Sequence, residues 1–503
     1  MILNIEGDVN RYYMQTLCMV FFPGATFGTA EQPTPDTPVV SVRVTPGEAG
    51  SVSAWASIRW QDRVTEGVGE AHPTDGIPTD RLTKLAASRA LFSAGKQYFG
   101  YTPPWGILTG VRPAKVATEI LERGIGVRAA RAVLQNEYLC QPRKAALAVA
   151  VASTERRLTR RLPENSCSVY ISIPFCPSRC AYCSFVSAIS GRLLSMIDDY
   201  LAALGDEMDR LFDLIRRRGL RVMTVYIGGG TPTVLNEKQL AALLRRLAKN
   251  IDPSTLTELT LEAGRPDTIN AEKLRIAREA GVTRISVNPQ TLSNEVLQRI
   301  GRRHTVADFY RAYEIAARSG IPYINVDLIA GLPGDTFPTF SETMDTIIGM
   351  APQNITVHTF AVKTSADILR EGRGVYSMTG GDAAKSVDYS QIRTRLAGYR
   401  PYYMYRQKNT VGNLENVGFS QKGAEGMYNI YMMEELHSIF AAGAGAVTKL
   451  VRPQGSGTNV RIERIFAPKY PYEYLREAAS PDRAALLESR VSAFFDGKDA
   501  AGR

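Results

Sequence analysis

Cys176, Cys180 and Cys183 stand at the spacing C-x3-C-x2-C, inside Tyr170-Ile-Ser-Ile-Pro-Phe-Cys176-Pro-Ser-Arg-Cys180-Ala-Tyr-Cys183. Three thiols this close can wrap one compact metal centre. Four cysteines are the usual ligands of a [4Fe–4S] cluster. Three leave one iron open to a substrate or cofactor, by the logic that separates open catalytic zinc sites from closed structural ones. The competing chemistry is a zinc site completed by Cys167. Zinc ligands usually come as two separated C-x2–4-C halves, and Cys167 precedes Cys176 with no partner of its own. The spacing favours iron and sulfide. Cys18 and Cys140 are expected to be buried, inert thiols.

The cysteines follow an apolar run, and more chemistry-bearing residues follow later runs of the same kind. Gly228-Gly229-Gly230-Thr231-Pro232 comes after a second candidate strand, where glycines let backbone groups approach a ligand. Glu262 ends a third. Pro289-Gln290 follows a fourth, and Asp327 lies near the end of a fifth. The ends of strands are where an α/β sheet places its ligands, and an acid there binds ribose hydroxyls in other nucleotide sites. His304, in Ile300-Gly301-Arg302-Arg303-His304-Thr305, reads as a structural or capping residue.

The elements that must position these residues are legible as β-branched runs alternating with amphipathic ones. Candidate strands are 169–173, 222–227, 256–261, 284–288, 323–328 and 355–360. The clearest helix spans 193–218, apolar at Leu193, Ile197, Leu201, Leu204, Met208, Leu211 and Ile215, and ends on cations and Gly219. Six alternating units imply parallel strands with right-handed crossovers, two short of the eight in a closed barrel. Residues 1–165 read differently. Strands are expected at 2–5, 39–44 and 52–60 and helices at 81–94, 112–123 and 143–158, and 17–22 reads as a buried strand. The three tryptophans, Trp55, Trp60 and Trp105, read as core packing. The chain is expected to divide into 1–165, an α+β extension; 166–380, the β/α unit; and 381–503, a smaller substrate-covering domain and tail ending in a helix around 483–494.

Composition bounds the class. Of 503 residues, 44% are hydrophobic and 22% charged, which excludes disordered and collagenous chains. Six cysteines do not make a disulfide scaffold. No apolar run is long enough to span a bilayer, and 17–22 is too short for a signal's apolar region and follows Glu6 and Asp8, so a soluble, cytoplasmic protein is expected. A net charge of +10 favours anionic partners. Arg156, Arg157, Arg160 and Arg161 form a basic helix face, but no nucleic-acid motif accompanies it. An acidic small molecule is the expected partner, with no nucleic acid.

The cysteine loop after a first strand resembles that of the radical S-adenosylmethionine (SAM) superfamily. Tyr170-Ile-Ser-Ile-Pro-Phe-Cys176 resembles one branch, the oxygen-independent coproporphyrinogen III oxidase (dehydrogenase) group, and the likeness covers about residues 168–450. The first 165 residues look like the extension of a longer variant, marked by Pro104-Trp105-Gly106 and Thr109-Gly110-Val111-Arg112-Pro113. The resemblance implies an α/β fold, a partial (β/α)6 barrel with an amino-terminal α+β extension and a smaller carboxy-terminal domain. It implies a [4Fe–4S] cluster on Cys176, Cys180 and Cys183, and SAM held by Tyr170, Tyr182, Gly229, Gly230, Thr231, Glu262, Gln290, Arg302, Asp327 and Ala330. One electron from the cluster would cleave SAM to methionine and a 5′-deoxyadenosyl radical. The implied substrate is a tetrapyrrole with propionate groups, two of which become vinyl groups with loss of CO2. A low-potential donor of flavodoxin or ferredoxin type is the implied electron source. Arg302, Arg303, Arg400 and Arg406 are candidate carboxylate partners.

Two departures stand out. Phe185 occupies the place of a further family cysteine, as in a sister subgroup of haem chaperones. Tyr428-Asn429-Ile430-Tyr431-Met432-Met433 lacks the His and Trp of those chaperones' HNxxYW element. A haem chaperone and a haem-modifying radical SAM methyltransferase are therefore the alternatives to the decarboxylating enzyme.

Overall fold

The computed structural model describes residues 1–28, 34–73, 79–183, 188–361, 380–407, 410–454, 460–478 and 480–497. Phe185 lies outside them. The chain forms two compact units. Unit one comprises Met1–Ser153, Gly374–Ala384 and Tyr405–Glu415, and unit two Thr154–Arg373, Lys385–Met404 and Asn416–Arg503.

Unit one carries a four-stranded sheet in chain order: β1 (Ile2–Glu6), β2 (Val39–Pro46), β3 (Val52–Trp60) and β4 (Arg63–Ala71). β1 runs parallel to β2, and the other neighbours are antiparallel. Gln61 and Asp62 both hold positive φ in the β3–β4 turn, the backbone a two-residue hairpin needs. Helix Thr79–Phe99 lies across β3 and β4. Added Cβ atoms at Gly67 and Gly69 would strike the carbonyls of Ala90 and Ala86, so bare backbone permits this close seat. The expected helices appear as Thr79–Phe99, Pro113–Glu122 and Pro142–Thr159; Trp105 is buried as expected, whereas Trp55 and Trp60 are only half-buried at the sheet surface.

The expected strand at 17–22 is a helix instead, Arg11–Phe21. Asn10 caps it by accepting from the Tyr13 amide at 2.9 Å. Met14, Leu17, Cys18 and Phe21 recur at three- and four-residue steps and are all buried, so helical burial of one face outweighs the local β-branched look.

Unit two is built on six parallel strands lying side by side in chain order: β5 (Ser166–Ile173), β6 (Arg221–Gly229), β7 (Glu258–Glu262), β8 (Arg284–Ser286), β9 (Tyr323–Ala330) and β10 (Asn354–Thr359). Helices alternate with them, as expected. The long helix begins at Ile197, after a separate turn at Gly191–Leu194 capped by Ser190, and Gly219 closes its carboxy-terminal end with positive φ. β11 (Arg400–Arg406) and β12 (Glu415–Ser420) extend the sheet beyond β10. β13 (Ser438–Ala442), β14 (Val447–Pro453) and β15 (Val460–Phe466) extend it beyond β5. β13 pairs parallel with β5. The last helix spans Pro481–Phe495. Among the described residues, no helix is long and apolar enough to cross a membrane.

Candidate functional site

Alternation along parallel strands in fixed register puts polar residues on one face. Tyr170 pairs with Tyr226, Tyr226 with Thr260, Glu262 with Ser286, Ser286 with Asn325, and Asp327 with Thr356. Along β9, Tyr323, Asn325 and Asp327 are half-buried while Ile324, Val326 and Leu328 are fully buried on the opposite face. Six strands thus aim their polar side chains at one region.

The cysteine loop leaves the end of β5 and is pinned on both sides. Gly230 N donates to Ile173 O at 2.8 Å, Thr231 N to Phe175 O at 2.8 Å, and Ala181 N to Ile300 O at 3.0 Å. Cys176 and Cys180 are buried and Cys183 half-exposed. Burial pushes the Cys176 thiol up to about 11, and Cys183 and Cys180 push the same way, so the three sulfurs sit within electrostatic reach. Among the described residues, no three His, Cys, Asp or Glu side chains converge on a single-ion site. A [4Fe–4S] cluster does not require this, because each thiolate binds a different iron.

The surroundings fit a cluster. An added Cβ at Gly230 would lie 2.5 Å from Phe175 O and 3.0 Å from Cys176 Sγ, so the loop wraps a position that only glycine leaves open. Arg265, 4% exposed, lies beside Cys180, with Nη1 3.8 Å from its sulfur. Its Nη2 donates to Ser178 Oγ at 2.9 Å. Cationic donors of this kind balance thiolate charge. Cys167 does not belong to the set. It lies near the start of β5, about 20 Å from the loop at the usual strand rise, and burial pushes its thiol far up. The zinc alternative loses its fourth ligand.

The structure brings several of the other strand-end residues together. Glu262 accepts from the Tyr226 hydroxyl at 2.5 Å. Burial raises its carboxyl to about 7 against that bond, with Asp327 adding to the rise. Asp327 accepts from Asn288 at 2.8 Å and Asn325 at 2.7 Å, with His358 Nε2 3.9 Å away. Burial works to raise Asp327, but His358, Asn325 and Thr356 outweigh it and hold the carboxyl below its ordinary value. Gln290 has φ of 69°, the left-handed region, and its amide nitrogen and carbonyl bridge to Asp327 O and Ile329 N. Its buried side-chain oxygen has no partner, as in a site that waits for a polar ligand. Arg302 donates Nη1 to Asn288 O at 2.7 Å and Nε to the Tyr182 hydroxyl at 3.3 Å. Gly229 has φ of 111°, and Ala330 ends β9 buried.

Other residues of the site were invisible in the sequence. Tyr226 packs against both Tyr170 and Tyr428, with ring centres 6.1 and 4.6 Å away, and those two rings lie 6.5 Å from each other. Glu258 accepts from Met427 N at 2.9 Å and pairs with Arg284, which anchors the helix bearing Tyr428. Asn288, His358 and Arg265 also belong here. Only period-two alternation with Thr356, the register partner of Asp327, marks His358. His304 is buried with neither ring nitrogen partnered, while Thr305 makes the cap. Arg303 and Arg400 are exposed, and Arg406 lies buried in unit one.

Residues 170–347 match the family described as the Radical SAM superfamily. Over 381 residues the chain is 37% identical to the oxygen-independent coproporphyrinogen-III oxidase-like protein HemZ of Bacillus subtilis, covering 75% of each. The chain belongs to the radical SAM superfamily, in its coproporphyrinogen-III oxidase-like group. The heme chaperone HemW of Bacillus subtilis is 30% identical over 322 residues, 63% of this chain and 80% of that one. Among solved structures, the coproporphyrinogen III oxidase HemN of Escherichia coli aligns with 69% of this chain and 84% of its own, at 19% identity and a TM-score of 0.47. As a radical SAM protein, the chain has the α/β fold of that superfamily and uses its cofactors, a [4Fe–4S] cluster and SAM.

Proposed function

We propose that this radical SAM protein catalyses oxygen-independent oxidative decarboxylation of coproporphyrinogen III to protoporphyrinogen IX. The observation that carries the reading is the convergence of the cysteine loop, Glu262, Gln290, Arg302 and Asp327 at the ends of consecutive parallel strands. The substrate assignment rests on the likeness to a coproporphyrinogen-III oxidase-like protein.

In this reading Cys176, Cys180 and Cys183 hold three irons. When bound there, the cluster would supply one low-potential electron for cleavage of SAM to methionine and a deoxyadenosyl radical. Gly229, Gly230, Thr231 and Glu262 receive the SAM amino group, which an ionised Glu262 pairs with. Gln290 offers its unpartnered oxygen, Arg302 contributes a cation, and Asp327 accepts from the ribose hydroxyls. Tyr170 flanks the methionine moiety, while Tyr182 and Ala330 complete the pocket. Each reacting propionate would give a hydrogen atom from its β-carbon to the deoxyadenosyl radical, forming 5′-deoxyadenosine, then lose CO2 and pass one electron to an external one-electron acceptor, becoming a vinyl group. A flavodoxin or ferredoxin supplies the low-potential electron, and the setting is the cytoplasm.

A haem chaperone is the second reading, supported by the 30% identity to HemW over most of that protein. Anaerobic incubation of reduced, cluster-loaded protein with SAM and coproporphyrinogen III separates the two. Two successive losses of CO2 with 5′-deoxyadenosine are expected by mass analysis. Tight haem binding with no decarboxylation overturns the enzyme reading.

A further inference from the structure

Unit one holds a buried charge network remote in sequence from the cysteine loop. Lys144 Nζ donates to Glu415 Oε1 at 2.7 Å, and Trp105 Nε1 donates to Glu415 Oε2 at 2.8 Å. Lys144 is 2% exposed and Glu415 fully buried. Arg406, also buried, stacks its guanidinium over Trp105 at 5.8 Å and donates Nη1 to the Leu108 carbonyl. Two cations lie beside one carboxylate, and the positive charge at Arg406 is only partly met.

That charge is unevenly met. Both Glu415 oxygens already accept, one from Lys144 and one from Trp105. Arg406 Nε is buried with no partner. Burial lowers Arg406 to about 10, although Glu415 opposes the change. A buried guanidinium with an idle donor is costly unless an anion completes it.

Arg406 also lines a pocket of about 60 Å³, with Thr16, Thr109, Gln407 and Asn413 adding polar groups and Met19 an apolar wall. At ~10–15 Å³ per water-sized group, it has room for a carboxylate with a short tail. Arg406 brings a guanidinium, the planar fork that binds a carboxylate, to the pocket wall, with Nη1 committed to Leu108.

We infer that this pocket of unit one is a carboxylate-binding site, taking either a free short-chain carboxylate or the carboxylate arm of a larger molecule. It is built only from unit one and does not depend on the reaction proposed above. The test is calorimetric titration of the full-length, cluster-loaded protein with sodium propionate, sodium phosphate and sodium chloride at matched ionic strength. Saturable one-to-one propionate binding is expected, with none for chloride. Met19→Trp, which fills the pocket and leaves Arg406 in place, should abolish it, and Thr109→Val should weaken it severalfold. Should M19W misfold by circular dichroism, T109V alone decides. Equal heats for propionate and chloride, phosphate binding tighter than propionate, or undiminished binding in the folded variants overturns the assignment. Coproporphyrin III then distinguishes the sources. Competition with propionate points to a carboxylate arm, and independent binding points to a free carboxylate; both presuppose the site.

Discussion

Arg265 Nη1 lies 3.8 Å from the sulfur of Cys180, while Nη2 of the same guanidinium holds the hydroxyl of Ser178 at 2.9 Å. One buried cation thus ties the cysteine loop to the segment after β7, and Asp267 orients it from the other side at 3.1 Å. Donors to cluster sulfurs stabilise the more negative, reduced state. Arg265→Gln is expected to move the cluster's midpoint potential to more negative values, and Arg265→Lys to restore most of the difference. Redox titration followed by electron paramagnetic resonance reads this directly. Identical potentials in wild type and R265Q would remove Arg265 from this role.

Gly230 makes a steric prediction about the same loop. A methyl group there meets the Phe175 carbonyl, which is backbone and cannot swing aside. Gly230→Ala is expected to lower iron and sulfide content after anaerobic reconstitution. Thr231 is the control, because Thr231→Ser keeps the hydroxyl 3.4 Å from Cys176. Wild-type iron content in G230A would contradict the close wrap.

Glu262 makes a prediction in pH. Its folded value, about 7, lies above the unfolded carboxyl value of ~4.3–4.5. The folded protein therefore binds more protons between those values, and this group's contribution falls as pH rises from about 4.5 to about 7. Glu262→Gln should flatten that slope in urea unfolding of the cofactor-free protein. A SAM ammonium group favours the carboxylate, so SAM binding near pH 6 should release protons, as calorimetry in buffers of different ionisation enthalpy would show. An unchanged slope in E262Q would show that another group titrates.

The Lys144–Glu415 pair predicts a large stability effect in unit one. Lys144→Met removes the ammonium hydrogen-bonded to a fully buried carboxylate and is expected to cost about 3–5 kcal/mol. Lys144→Met with Glu415→Gln should recover much of that loss. Denaturant unfolding followed by tryptophan fluorescence is selective, because Trp55, Trp60 and Trp105 all lie in unit one. A loss below about 1 kcal/mol, the range of an exposed pair, would contradict the burial.

Much of unit two was readable in the sequence because its strands are β-branched runs closed by glycine or polar residues. β4 was not. Its stretch 66–70, Glu-Gly-Val-Gly-Glu, puts glycine where inward apolar side chains would alternate, and Gly67 and Gly69 are there to admit a helix. The Arg11–Phe21 helix was misread because a short apolar run has no period of its own. Its helical face becomes visible only when Met14 is counted with Leu17, Cys18 and Phe21. In the site, acids and thiols at strand ends were legible, whereas Tyr428 depends on the anchor between Glu258 and Met427, 169 residues apart.

The sequence by itself determined the local chemistry: three thiols at cluster spacing, acids at strand ends and the order of six β/α units. These depend on spacing within one loop and periodicity within one element, which neighbouring residues set. Tertiary structure alone decided that Cys167 lies at the far end of β5, that Arg265 reaches Cys180, that Gln290 keeps an unpartnered oxygen, and that Arg406 is buried beside a pocket. Each of those outcomes turns on strand register and on which polar atoms lose water with or without a partner. Both are properties of residues brought together across the chain.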